Sequence, residues 1–223
     1  MKRSEASAKP AGRAASSSRV ERRKVRTRQA LLDATHSLLA SRSIDSLSVD
    51  EIAMRADVAK GTFYNYFADK DALARELAAA VRARVENEIN LTNVGIADPA
   101  ARVARALCCV LRFGLSDRRH ALAMMRLFPH ATDPSAPVNA GVRSDVVAGL
   151  AAGRIVAPSA DVAVAFIVGV TMAGLNRVMD LVDDQAAVFA RDLGSILLHG
   201  LGLGRAPAAR TIAAAVESVL RAK

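Results

Sequence analysis

Residues 59–70 read AKGTFYNYFADK, and Phe63, Tyr64, Tyr66 and Phe67 are four of only eight aromatic side chains in this 223-residue chain. Wound as a helix, at about 100° per residue, the stretch sorts itself by face. Phe63 and Phe67, four apart, share one side. Gly61 and Asn65 point the opposite way, with Thr62 and Tyr66 on one flank and Tyr64 on the other. One face therefore buries two benzyl groups while the other offers a small residue and an amide between hydroxyls. A helix seated in a DNA major groove asks for that arrangement. Gly61 lets the backbone approach, the Asn65 amide can bond an adenine edge, and the flanking hydroxyls reach phosphates. The plainer alternative is a surface helix with two aromatic anchors.

The residues just upstream narrow the choice. Ser48-Val49-Asp50-Glu51 has the form of a capping box, in which the serine hydroxyl caps a helix start and the glutamate reaches back. Val49, Ile52, Ala53 and Ala56 then recur at i, i+3, i+4 and i+7, a helix with one apolar stripe. Asp57-Val58 makes a short turn, and a second helix starts near Ala59. Two short helices joined in this way predict a helix-turn-helix. Through the words RTRQALLDATHSLLA and LSVDEIAMRADVAKGTFYNYFADKDAL, residues 24–70 resemble the DNA-binding domain of the TetR family of bacterial transcription regulators. Beyond them the likeness is that of an all-helical pattern.

The resemblance implies an all-α chain in which a three-helix DNA-binding domain, residues 19–69, precedes a helical ligand-binding and dimerisation domain, residues 70–223. It implies a homodimer on a partly palindromic operator, acting as a repressor that a small molecule releases. Base reading then falls to Gly61, Thr62 and Asn65 with Lys60 at the helix start, and phosphate contact to Thr27, Ser48, Tyr64, Tyr66 and Lys70. The ligand would sit within helices 94–182 and shift the helix at 70–91. Met124, Met125, Phe128, Phe166, Met172, Asn176 and Met179 are the candidate lining, although Met and Phe at helical spacing serve equally well as plain core. Three positions depart from the family pattern. Asp57 and Ser43 stand where Gly is usual, and Ala59 where a capping Ser is usual. Asp tolerates the left-handed turn. Ala cannot cap, a loss of about 1 kcal/mol.

Charge is unevenly spread. Residues 1–28 hold 10 Lys/Arg against 2 Asp/Glu, whereas residues 29–93 hold 7 against 10. The helix-turn-helix body is thus mildly acidic, and most of the positive field sits on an N-terminal arm. Residues 1–18 are rich in Ser and Ala and lack hydrophobic periodicity, so they read as a disordered basic arm. Phosphate or minor-groove contact is the expected role, with a transit peptide or a solvated tail as the other readings. The first helix is expected over about 22–41.

Asp69 is placed to cap the fourth helix, which carries Leu73, Leu77, Val81, Val85 and Ile89. Prolines and glycines then separate helical patterns at about 100–116, 118–128, 138–152, 159–182, 186–200 and 208–221. The uncharged run 162–176 is 15 residues, short of the ~20 of a membrane span. The helices at 159–182 and 186–201 fit the paired dimerisation helices that the TetR resemblance implies, an intrachain core being the alternative. No signal peptide is visible, and adjacent Cys108 and Cys109 suit a reducing cytoplasm as small buried hydrophobes. No nucleophile elbow, phosphate loop or metal-spaced Cys/His set is present, so no cofactor, metal or enzyme activity is expected. A helical interaction protein with a vestigial helix-turn-helix, or an enzyme of unrecognised type, are the readings from other classes.

Deleting residues 1–18 removes Lys2, Arg3, Lys9 and Arg13 against Glu5. Each neutralised phosphate contributes about −0.9 to the slope of log K against log salt, so a salt titration on one DNA site should become shallower by roughly one to three. The preferred sequence should stay the same. Parallel lines of equal affinity would reduce the arm to a solvated tail.

Overall fold

The computed structural model describes residues 11–128 and 133–221, which form ten α-helices and no strand. The head contains α1 (Ala11–Leu39), α2 (Val49–Arg55) and α3 (Lys60–Tyr64). The long α4 (Lys70–Thr92) leads out of it. The body is built from α5 (Pro99–Ser116), α6 (Arg118–Leu127), α7 (Ala140–Ala151), α8 (Ala160–Val178), α9 (Asp183–Gly200) and α10 (Arg205–Ala215). A π-helical turn, Val216–Leu220, closes the described chain.

The expected caps form. Ser48 and Glu51 complete a reciprocal capping box on α2. The Asp69 carboxylate accepts from the Ala72 N–H, and Ser159 accepts from Val162. Asp57 is the one non-glycine residue at positive φ (56°) among the described residues, as the turn between α2 and α3 requires. Ala59 takes the extended N-cap conformation of α3 with no side chain to cap it.

Two expectations are corrected. The first helix starts at Ala11 rather than near 22, so a boundary at 18/19 falls inside α1. Residues 11–18 (AGRAASSS) contain no proline to stop the helix, and extending an existing helix avoids the cost of nucleation. Residues 1–10 of the expected disordered arm lie outside the described residues. The second correction is that residues 59–70 are not one helix. α3 stops at Tyr64, and the chain turns through 65–69 so that Asp69 can start α4.

The head is held by Phe63, fully buried, and Phe67, which meet Leu31, Leu39, Ile52 and Leu73. Arg28 of α1 ties this packing together. Its Nε donates to Glu76 of α4 at 2.7 Å, and its guanidinium lies 4.7 Å over the Phe67 ring. The same core continues along α4 through Leu77 and Val81 to Val110, Met124 and Leu175 of the body. Head and body therefore share one packed seam. A second core joins α5, α8, α9 and α10 through Leu107, Leu111, Val164, Leu197, Leu198 and Ile212.

Close helix contact depends on small residues. A Cβ on Gly174 would come within 2.5 Å of Leu193, whereas one on Gly169 would meet nothing. α8 is long and apolar enough to cross a membrane by length and composition, but its buried face packs on α5, α7 and α9. Cys108 and Cys109 are free and buried, and burial pushes the Cys108 thiol up to about 12.

Ala59→Ser restores a capping hydroxyl where the backbone already has capping geometry. Thermal or denaturant unfolding should show a gain of about 1 kcal/mol. A loss would mean that the start of α3 cannot accommodate the bond.

Candidate nucleic-acid interface and regulatory cavity

α3 has five residues, too few to hold itself together. Phe63 anchors it from beneath, and that anchorage decides what it shows outward. Gly61, Tyr64 and Asn65 are exposed, Tyr64 by 52%. Nothing lies within 4 Å of where a Gly61 Cβ would stand, so the surface there is open to a close approach. Asn65 forms the C-cap of α3, and its backbone N–H donates to the Thr62 carbonyl.

The other candidates are less free. Thr62 and Tyr66 are half-buried, and Tyr66 packs against the head core beyond the end of the helix. Lys60 Nζ is 2.9 Å from Asp50 Oδ2, a bond that raises the pKa of the lysine. The Ser48 hydroxyl is engaged in the capping box. The Ser48 backbone N–H, Arg42 and the Ser48 hydroxyl together hold Glu51 down to about 2. Thr27 is half-buried on α1. Lys70 does not stand free at the start of α4. Its Nζ donates to the carbonyls of Asp45 (2.9 Å), Ile44 and Leu47 (both 3.4 Å), clamping the 3-10 turn at Ile44–Ser46. Sequence reasoning missed Arg42, which bridges Glu51 and the Ser46 carbonyl, and Arg28. Both sit in polar runs, and no periodicity marks the long-range partner.

Below the head, the body encloses a cavity of about 290 Å³ between α4, α5, α6, α7 and α8. That is the lower end of the range for small-molecule sites, roughly 300–1,000 Å³. Of the candidate lining residues, Met124, Phe128 and Met172 border it. Met125, Phe166, Asn176 and Met179 do not. Met125 and Met179 pack on the shared core, Asn176 faces outward, and Phe166 lies against Gly200 of α9. Helical spacing located these residues on α6 and α8 but not the face that turns inward. The polar part of the wall was missed: Arg102, Asp145, Asn90, Asn139 and Glu86.

Head and body also meet through two histidines. The rings of His36 (α1) and His120 (α6) are 4.1 Å apart in an edge contact. His120 Nδ1 lies 2.5 Å from Asp117 Oδ2, and Arg84 donates to its Nε2 at 2.8 Å. An arginine only donates, so in this contact Nε2 accepts while Nδ1 faces the Asp117 carboxylate. His36 Nε2 is buried without a partner among the described residues. Burial first, then His120, lowers the pKa of His36, against Asp117 and Asp33. Among the described residues no cluster of His, Cys, Asp or Glu is arranged to hold a metal.

The ten described helices, a helix-turn-helix head joined to a cavity-bearing body, have the architecture of a one-component transcription regulator. The sequence signature of "bacterial regulatory proteins, tetR family" matches residues 31–77. An uncharacterized HTH-type transcriptional regulator of Mycobacterium tuberculosis is 30% identical over 122 residues, covering 55% of this chain and 58% of the relative. The chain thus matches little more than half the length of that relative. Among solved structures, RolR in complex with resorcinol is 25% identical, with TM-score 0.57, over 86% of this chain and 95% of that one. A tetR family transcription regulator from Shewanella sp. PV-4 shares the fold at TM-score 0.70 and 17% identity, over 78% and 97%. The head thus carries the signature of the TetR family of bacterial helix-turn-helix regulators, and the whole chain is similar in fold to members of that family.

His36 is held neutral in the folded chain, so below the ordinary histidine value of about 6.5 the unfolded chain takes up the proton first. Stability should therefore fall as pH drops through that value. His36→Phe keeps a ring against His120 and should flatten this part of the curve. An unchanged curve would place the titrating group elsewhere.

Proposed function

We propose that the protein is a sequence-specific DNA-binding transcriptional regulator, a homodimeric repressor that leaves its operator when a small molecule enters the body. The observation that carries this reading is the exposed face of Gly61, Tyr64 and Asn65, displayed by a helix whose other side is locked into the head core. An amide at the helix end reads a base edge, and the open backbone at Gly61 admits the groove wall. Tyr64 gives its hydroxyl to a phosphate. Thr62 and Lys60 flank this reading face, and Thr27, Ser48 and Tyr66 frame it at the backbone. Lys70 acts mainly by holding the 3-10 turn in place, with its charge adding to the field at phosphate.

Two further features support the reading. α8 and α9 leave Val162, Phe166, Val188 and Ile196 exposed, the last by 66%, and a second copy related by a two-fold axis would cover them. α4 offers a route from ligand to DNA. Leu73, Leu77 and Val81 are packed into the shared core, while Val85 and Ile89 of the same helix line the cavity. A ligand that favours one position of α4 would change the spacing of the two recognition helices in the dimer. RolR, solved with resorcinol, and the gamma-butyrolactone receptors of the same fold support a ligand-responsive regulator. The chain would act in the cytoplasm, where its DNA lies.

Selection from a random DNA library should return a palindromic motif with half-sites about one helical turn, 34–36 Å, or a multiple of it apart. Asn65→Ala should cost about 1–3 kcal/mol at the best site and relax preference at one or two base pairs. Tyr64→Phe should weaken all sequences alike. An unchanged motif with Asn65→Ala would show that the groove-facing side is wrongly assigned.

A further inference from the structure

The cavity is polar at one end and apolar at the other. α5 runs along it for about two turns. Arg102 sits at one end, Ala106 and Leu107 in the middle, and Val110 at the other beside Met124 and Met172. At the polar end Arg102 Nε and Asp145 Oδ1 are 2.5 Å apart, with side-chain exposures of 29% and 13%. The pair joins α5 to α7, and Arg102 Nη1 also donates to the Asn93 carbonyl at 3.3 Å. Arg102 Nη2 and Asp145 Oδ2 make no bond to a described residue, so a donor and an acceptor stand side by side. The one other charged group in the lining is Glu86, which lies 3.7 Å from Arg82.

These charges decide what can bind. A carboxylate entering the cavity meets two carboxylates and one cation, and that cation is already paired. An ammonium group meets the same two carboxylates, Asp145 neutralised by Arg102 and Glu86 beside Arg82. A carboxylate is matched only by breaking the largely buried Arg102–Asp145 pair, and an ammonium only by taking Asp145 from Arg102 or Glu86 from Arg82, which in each case leaves the former partner uncompensated. An uncharged hydroxyl avoids this. It donates to Asp145 and accepts from Arg102 while the pair stays intact. We infer that the regulatory ligand is a small uncharged molecule with an apolar, ring-sized body and a hydroxyl head seated on the Arg102–Asp145 pair. This inference rests on the proposed regulatory role of the cavity and names the chemistry that the cavity selects.

The test uses three probes of one shape: benzyl alcohol, benzoate and benzylamine. They are titrated into the full chain carrying ¹³C-methyl methionine. Met124 and Met172 line the cavity, and Met54, 76% exposed on α2, serves as the distant control. Benzyl alcohol should shift the Met124 and Met172 methyls, leave Met54 alone, and bind about tenfold or more tighter than either ion. Asp145→Asn leaves Arg102 as an unpaired cation and should invert the order, with benzoate the tightest. The wild-type order stands as a test by itself should that variant fail to fold. Cavity-methyl shifts with benzoate or benzylamine tightest in the wild type would overturn the ligand class alone. No response of Met124 and Met172 to any probe would overturn the cavity assignment, and the class with it.

Discussion

Burial of Phe63 beneath a five-residue helix is the interaction on which the exposed Gly61–Tyr64–Asn65 face depends. α3 has neither the length nor the cap to persist by itself, and its position comes from one side chain inserted among α1, α2 and α4. Phe67 repeats the insertion after the turn and is covered on its outer side by the Arg28 guanidinium. The same contact fixes both the tilt of α3 and the side that faces outward. A helix anchored on one face by a fully buried ring has little freedom to rotate, so Gly61 and Asn65 are presented in one orientation. Arg28 adds a directional constraint through Glu76, linking that orientation to α4.

α4 is the mechanical centre of the chain. It belongs to the head at its first turns and to the cavity wall at its last. Among the described residues no unpacked linker separates head from body. Continuous packing from Leu31 to Leu175 passes through it, so the two parts share one core. The His36–His120 contact and the Arg126 bond to the Leu39 carbonyl form a second tie, from α1 to α6. Movement of α4 therefore has to be accommodated at α6, where Met124 also faces the cavity.

The cavity wall shows a different balance. Its apolar end shares residues with the core, and its polar end is an ion pair that also braces α5 against α7. A charged pair in a wall of low polarity is stable only while both members remain, so it both supports the fold and restricts the charge of what can enter. The Ser48–Glu51–Arg42 group plays the corresponding structural part in the head, where hydrogen bonds rather than burial set the state of the carboxylate.

Much of this was legible in the sequence because it is local. Helix period, capping pairs at a spacing of three, a left-handed Asp57 and the crowding of aromatics at 63–67 all act over a few residues, and each survives in the structure. Those features determined the all-α class, the helix-turn-helix and the identity of its outward face. The cavity was only partly legible. Met and Phe recur with the same spacing whether they face a core, a cavity or a dimer surface, and that choice depends on how α6 and α8 are rotated against their neighbours. Tertiary structure alone decided that Lys70 is bound to three carbonyls, that α3 ends at Tyr64, and that Arg102 and Asp145, 43 positions apart in the chain, meet. The physical reason is the same in each case. A side chain's partner from a distant helix is set by packing, and packing minimises the free energy of the whole chain rather than of any window along it.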